Sequence, residues 1–241
     1  MATTYYIGAD DTDFGDSIGT GALARELQLR VATRFGAKTL GITRHQFLVH
    51  PDIPYTSHNS SACVAAACDA PFDEVTAACV DLIAALEHPG ADPGLCVRRE
   101  GELTAAALDF ARRAQREVVT KAEAVAIARA EGAFLKELGG AGIGVIGALA
   151  GCALRMSGDD GRFVSLRGIR DFRGHATAGA ILAATPIVAV LDEEGGSVPD
   201  DAVIRTNHWV RPWLRGGRIV LVVKRDGAGY SIENNKRREE G

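Results

Sequence analysis

Residues 5–27 read YYIGADDTDFGDSIGTGALAREL. An apolar, strand-like run stops at Asp10, Asp11, Thr12 and Asp13; Asp16 follows, then Gly19-Thr20-Gly21 and a stretch with helical spacing. Four carboxylates between positions 10 and 16 repel one another, which lowers stability unless a positive species sits among them. A strand that ends on acids and leads into a glycine-rich helix start is the order a magnesium–phosphate site needs. Mg2+ keeps several waters and takes one or two protein carboxylates together with substrate phosphates. A helix N-terminus opening on glycine brings backbone N–H groups to phosphate oxygens, where the helix dipole favours an anion. The carboxylates Asp10, Asp11, Asp13 and Asp16 are therefore candidate metal-binding groups, and the backbone of Gly19-Thr20-Gly21 is a candidate phosphate contact.

Other acidic motifs fit this stretch worse. A calcium loop beginning at Asp11 would need an acidic or amide residue at Gly15 and a glutamate at Ala22. A phospho-aspartate motif also fails at Gly15, and the P-loop pattern G-x-x-x-x-G-K-[ST] occurs nowhere. A helix-capping turn would be satisfied by one aspartate, so the others need a further reason.

Outward from the motif, strands and helices alternate. Helical spacing runs over 19–35, with Leu23, Leu27, Val31 and Phe35 on one face; strands are expected at 3–9, 38–49 and 60–68, and a helix at 72–87. Helices are expected at 101–118 and 121–138, the second opening with the capping-box residues Thr120 and Glu123, and an apolar helix at 143–154. Strands are expected near 162–166, 185–191, 202–206 and 218–224. This predicts an α+β fold built in α/β layers. Polar stretches fall at 191–201 and in a tail at 231–241.

A second glycine stretch, Gly142-Ile-Gly144-Val-Ile-Gly147, spells G-x-G-x-x-G. A dinucleotide fold needs a strand immediately before it, and the expected helix over 121–138 argues against that, leaving a phosphate-contacting loop or a close-packed turn. Between the two glycine stretches lies GITRHQFLVHPDIPYTSHNSSACV (41–64), which gathers Arg44, His45, His50, Tyr55, Thr56, His58, Asn59, Ser60 and Ser61 around strand ends. Ligand-contacting residues concentrate on such loops, which makes Arg44, His45, His58, Asn59 and Ser60 candidate substrate or nucleotide contacts.

Composition bounds the alternatives. The 241 residues are 46% hydrophobic and 24% charged with a net charge of −4, the profile of a globular protein without a global nucleic-acid footprint. No apolar run is long enough to span a bilayer and no secretory pattern opens the chain, so a cytoplasmic location and no membrane partner are expected. The five cysteines contain no C-x-x-C pair, so zinc is not expected and they read as reduced core residues.

IGADDTD with its following Gly-Thr-Gly, then GITRHQFLVHPDIPYTSHNSSA, ADPGL and GVIGALAG, in that order, resemble the tRNA 2-agmatinylcytidine synthetase family and its shorter bacterial relatives. The resemblance spans most of residues 5–155 and implies a kinase-like domain interlocked with a ferredoxin-like domain. It implies use of ATP and magnesium to phosphorylate the base oxygen of a tRNA cytidine, agmatine then displacing the phosphate. Asp10, Asp11 and Asp13 fall on the family's acidic motif, Thr20 on its phosphorylated threonine, and Asn59 on its Gly-Asn-Gly stretch, where His58 and Ser60 replace the glycines. Gly142, Gly144 and Gly147 fall on its glycine-rich loop. The OB-fold and zinc ribbon of full-length members have no counterpart motif, and the sequence leaves room for one or two strands after 206–212.

The expected organisation is an ATP- and magnesium-binding core over 1–155, its completion over 156–230, and the tail. ATP and a small-molecule or tRNA acceptor are the expected partners, with a homodimer or an accessory protein as further candidates. A competing reading is a non-catalytic nucleotide- or RNA-binding module, resting on Arg211, Arg215, Arg218, Lys224 and Arg225 around Trp209 and Trp213.

Overall fold

A computed structural model describes residues 2–10, 19–53, 59–86 and 90–232. Asp11, Asp13, Asp16, Tyr55, Thr56 and His58 lie outside the described residues. The chain divides into two compact units between Val164 and Ser165.

Strand β1 (Thr3–Asp10) sends Tyr5, Ile7 and Ala9 into one apolar cluster, the alternation of a strand covered on both sides. Helix α1 (Thr20–Phe35) lays Leu23, Leu27 and Val31 on that cluster and stops at Gly36, whose left-handed φ of 62° suits glycine. Strands β2 (Lys38–Gln46) and β3 (Ser60–Cys68) pair antiparallel, with Thr43 opposite Cys63 and His45 opposite Ser61. Helix α2 (Phe72–Leu86) returns to the α1 side, adding Val75, Cys79, Leu82 and Ile83. Strand β4 (Gly94–Arg99) then pairs antiparallel with β1. The resulting order β4-β1-β3-β2, with both helices packed into one cluster, is a split βαβ arrangement.

Helices α3 (Ala105–Ala114), α4 (Lys121–Glu131) and α5 (Val145–Ser157) supply a second cluster, in which Phe110, Ala148, Leu149 and Cys152 meet Cys63 and Cys96 of the sheet. Close approach of α5 depends on glycine: a Cβ on Gly8 would meet the Ala148 carbonyl oxygen and lie 2.8 Å from Cys152 Sγ. Strand β5 (Phe134–Glu137) joins the sheet beside β4, and β6 (Arg162–Ser165) beside β2.

The helix expected over 121–138 is thus two elements. Gly132, at φ 64°, ends α4 by donating its N–H to Ala128 O and Arg129 O, and Phe134–Glu137 turn into an edge strand. A strand therefore does precede the G-x-G-x-x-G stretch, but it is antiparallel to β4 rather than part of a parallel crossover. The helix expected over 101–118 is shorter, beginning at the Thr104 cap.

In the second unit, β7 (Gly174–Thr177), α6 (Ala178–Ala184), β8 (Ala189–Leu191), β9 (Val203–Asn207), β10 (Trp213–Arg215), β11 (Arg218–Asp226) and β12 (Gly229–Ile232) enclose a cluster including Ile169, Ile181, Ile204 and Leu221. The strands run β10-β11-β12-β9-β7, with β8 parallel to β11. Among the described residues three strands follow 206–212 rather than one or two, because β10 and β12 are only three and four residues long. All five cysteines are free and buried, and burial pushes the Cys79 thiol up to about 12. Among the described residues no helix is long and apolar enough to cross a membrane.

Candidate nucleotide site

Four strand ends meet at one edge of the first unit's sheet. Strand β1 finishes at Asp10 opposite the first residue of β4, Gly94, and β2 finishes at Gln46 opposite the first residue of β3, Ser60. Helix α1 reaches the same edge with its N-terminus, since its C-terminus leads to Lys38, which pairs with Ala67 at the far end of β3. Helix α5 reaches it from the other face: the Cα side of Gly144 faces the backbone oxygens of Asp92 and Asp10, and Gly94 packs on the Gly144–Val145 backbone.

These two helices begin differently from others in the chain. Gly19 and Gly144 are their N-caps, and neither start has a side-chain cap hydrogen bond. By contrast α3, α4 and α6 are capped by Thr104, Thr120 and Thr177, each accepting a backbone N–H at its hydroxyl. Gly19 adopts φ 76° and its carbonyl accepts from the N–H groups of Ala22 and Leu23, both at 3.0 Å. Thr20 is the nearly buried first residue of α1, whereas Gly21 faces open space.

The Asp10 carboxylate lies against the first turn of α5. A Cβ on Gly147 would fall 2.6 Å from Asp10 Cγ and closer still to its Oδ2. A negative charge there is favoured by the helix N-terminus. Gly142 behaves otherwise: its N–H donates to Asp92 Oδ1 at 3.1 Å, so a carboxylate of the chain itself occupies the position a phosphate oxygen would take. A carboxylate of the chain thus lies at each place, Asp10 against the α5 first turn and Asp92 at the Gly142 amide.

The polar segment supplies two kinds of residue. Arg44 Nε donates to Ser60 Oγ at 2.8 Å, joining β2 to β3 beside the edge. Asn59 Nδ2 donates to Leu48 O at 2.6 Å, and its carbonyl accepts from the Phe47 N–H at 2.9 Å, so it closes the loop between those strands. His45 is wholly buried and both ring nitrogens are taken, by Thr43 Oγ1 at 2.8 Å and Asp160 Oδ1 at 2.7 Å. Burial pushes the His45 pKa below 6.5 against the upward pull of Asp160. For Asp160, burial pushes upward, but the His45 bond outweighs it and holds the carboxyl below its ordinary value. His45 is thus a neutral ring donating from Nδ1 to an ionised Asp160 and accepting the Thr43 hydroxyl, with no nitrogen left for a substrate.

The structure therefore gathers Asp10, Gly19, Thr20, Gly21, Arg44, His45, Asn59, Ser60, Gly142, Gly144 and Gly147 at one edge, while Asp11, Asp13 and His58 fall outside the described residues. Asp92 and Asp160 carry no signal in the sequence as site residues, because their partners Gly142 and His45 stand 50 and 115 positions away. Among the described residues no group of three metal-ligating side chains forms, so a cation here would rest on Asp10 and groups from outside them. As a magnesium site the edge is chemically suitable. Asp10 presents a hard oxygen donor beside a helix start, and Mg2+ needs only one or two such carboxylates when phosphates complete its shell.

No protein-family model and no curated protein matches the chain. Solved structures do. A tRNA fluorescent labeling enzyme is 25% identical at a TM-score of 0.55, over 62% of this chain and 36% of that one. Apo TiaS, a tRNA agmatidine synthetase, is 22% identical at a TM-score of 0.56, over 72% of this chain and 41% of that one. TiaS in complex with its tRNA, AMPCPP and agmatine is 21% identical at a TM-score of 0.56, over 74% and 43%. The likeness is one of fold, a TiaS-like mixed α/β arrangement, and the chain spans about two-fifths of the length of these structures.

Proposed function

We propose that the chain is an ATP- and magnesium-dependent enzyme that phosphorylates a carbonyl-type oxygen so that an amine can displace the phosphate. The observation that carries this reading is the convergence of Asp10 with two glycine-opened, side-chain-uncapped helix starts on one sheet edge. The resemblance of the motifs to agmatinylcytidine synthetases supports it, as do TiaS complexes containing ATP and agmatine. On this reading the split βαβ half is the ferredoxin-like part of the fold.

Phosphoryl transfer depends on positioning and charge neutralisation more than on a strong base. Bound magnesium would supply that neutralisation, held by Asp10 with Asp11 and Asp13. The first turns of α1 and α5 would orient phosphate oxygens through backbone N–H groups. Thr20, at the α1 start, would contact or accept phosphate, and Arg44 with Ser60 would form the acceptor side. The acceptor oxygen bonds to phosphorus as the bond to the leaving nucleotide breaks; the amine nitrogen then bonds to the acceptor carbon, inorganic phosphate leaves, and the amine loses a proton. An RNA or a small molecule carrying such an oxygen is the acceptor class.

Incubation of the purified protein with ATP and magnesium tests this directly. Slow release of ADP or AMP is expected from wild type and not from Asp10→Ala or Asp11→Ala; equal release from all three would overturn it.

A second reading, RNA binding without catalysis, draws on the second unit. The Arg170 and Arg211 guanidiniums lie 4.5 and 4.8 Å from the Trp209 ring centroid, and Arg215 lies 5.6 Å from that of Trp213. Burial, and then the neighbouring Arg170 charge, lower the Arg211 pKa, so an anion would be welcome there. A tRNA-binding assay across a salt series separates the two readings: salt-sensitive binding without nucleotide turnover favours this one, and no binding at low salt removes it.

A further inference from the structure

The glycine-rich loop between β5 and α5 is held from below. The Leu138 N–H donates to Pro93 O at 2.9 Å, the Gly144 N–H to Asp92 O at 3.2 Å, and the Gly142 N–H to Asp92 Oδ1 at 3.1 Å. The Glu137 side chain folds into the space a Cβ on Gly142 would need, its Cγ 2.8 Å away. Two carboxylates therefore underlie a loop that leads into the proposed phosphate-binding turn. Lys121 answers one of them: its Nζ donates to Glu137 Oε2 at 2.6 Å and to Ala141 O at 2.7 Å. It does so from the first residue of α4, where a positive charge opposes the helix dipole, so α4 itself gains nothing from a lysine there.

We propose that Lys121 is a positioning residue for the nucleotide site, an inference that rests on the ATP reading above. Its ammonium fixes the carbonyl of Ala141, neutralises Glu137, and so sets both the geometry and the charge of the loop that starts α5. Without it, Glu137 and Asp92 present two negative groups beneath a turn that must receive phosphate. Lys121 touches neither substrate nor reacting atoms and acts through the loop.

The experiment compares wild type with Lys121→Met, Lys121→Arg and the double variant Lys121→Met/Glu137→Gln. Three quantities are read: binding of the β,γ-imido analogue of ATP with magnesium, KM and kcat for ATP turnover, and backbone amide exchange over residues 138–147. Losing two charge-assisted hydrogen bonds should raise Kd and KM about tenfold in Lys121→Met, with kcat within about twofold. Amide exchange over 138–147 should quicken in that variant. Lys121→Arg should restore both, and removing the Glu137 charge in the double variant should recover part of the binding. Wild-type Kd and KM in Lys121→Met, or unaltered exchange across the loop, would overturn the proposal while leaving the ATP reading standing. Wild-type protein that neither binds the analogue nor turns over ATP would overturn the ATP reading and this inference together, even if loop exchange still quickened in Lys121→Met.

Discussion

Replacing Gly147 by alanine tests whether the Asp10 carboxylate rests on the first turn of α5. Alanine is the better helix former by about 1 kcal/mol, so propensity alone predicts stabilisation. The new Cβ, however, would fall 2.6 Å from Asp10 Cγ and 3.1 Å from Asp10 Cβ. Neither side can yield easily. Asp10 is the last paired residue of a strand flanked by β3 and β4, and α5 is pressed on the sheet through Gly8 against Ala148 O and Gly94 against Gly144. Overpacking of this kind costs about 1–3 kcal/mol, leaving Gly147→Ala about 0–2 kcal/mol less stable than wild type. In an Asp10→Ala background the carboxylate is gone and only the tight Cβ contact at 3.1 Å remains, so the same substitution should cost less, or stabilise by up to about 1 kcal/mol. The difference is a coupling of up to about 3 kcal/mol, measurable by urea unfolding of the four proteins in a double-mutant cycle. Gly21→Ala is the control, because a Cβ there meets nothing within 4 Å, and it should add about 0.5–1 kcal/mol. If Gly147→Ala has the same effect with and without the Asp10 carboxylate, the carboxylate does not sit against the helix and the reasoning fails.

The buried His45–Asp160 pair predicts acid sensitivity with a definite sign. The folded pKa of His45 lies below 6.5, so its contribution is complete above 6.5 and is lost as pH falls towards the folded value. Asp160, also depressed, adds a loss at still lower pH, below 3.8. Thermal unfolding in a buffer series should show stability declining below pH 6.5 in wild type and a flatter profile in His45→Asn; equally steep profiles would refute this. Glu131 pairs with Arg98, whose side chain is 1% exposed. Glu131→Ala should therefore lose about 3–5 kcal/mol in chemical denaturation, against about 1 kcal/mol for removing the Thr120 cap. Asp10→Asn keeps a side-chain oxygen beside α5 but removes the charge; it should unfold within about 1 kcal/mol of wild type while magnesium-dependent ATP turnover drops at least about a hundredfold. Unchanged turnover would remove Asp10 from the catalytic set.

Legibility of the sequence follows the range of the interactions. Helix α1 is readable because its periodic apolar residues pack on one face, and strand β3 because its short apolar run is buried on both. The boundary at Gly132 is hidden because Ala124, Ile127 and Ala128 on one side and Phe134 and Leu135 on the other read as one continuous apolar pattern; only the left-handed φ of Gly132 separates them. In the second unit β10 and β12 are too short to show an alternation, and β7 and α6 escape the sequence for the same reason. Asp10 and the glycine stretch are each part of a contiguous motif, and the structure places that one acid against Gly147. The fate of His45 cannot be read, because a histidine in a polar segment looks identical whether it faces substrate or an aspartate 115 positions away.

The helix starts show where the fold departs from the choices that stability alone would favour. A threonine cap contributes about 1 kcal/mol, and the chain uses one at α3, α4 and α6. At α1 and α5 it places glycine instead, which contributes less helix stability and leaves first-turn N–H groups without a side-chain acceptor from the cap. The omission becomes intelligible at α5, where the negative partner comes from the neighbouring strand as Asp10, a residue packed tightly enough that only glycine fits beneath it at position 147. A cap is a fixed partner for one N–H group, whereas a strand-end carboxylate can share its oxygens with a cation and leave neighbouring N–H groups to an anion. Close packing accounts for glycine at 144 and 147 one position at a time, and a left-handed φ accounts for Gly19, but none of these reasons asks for an acid at position 10. On the proposed function, an exchangeable ligand at this edge would account for the acid as well as the three glycines.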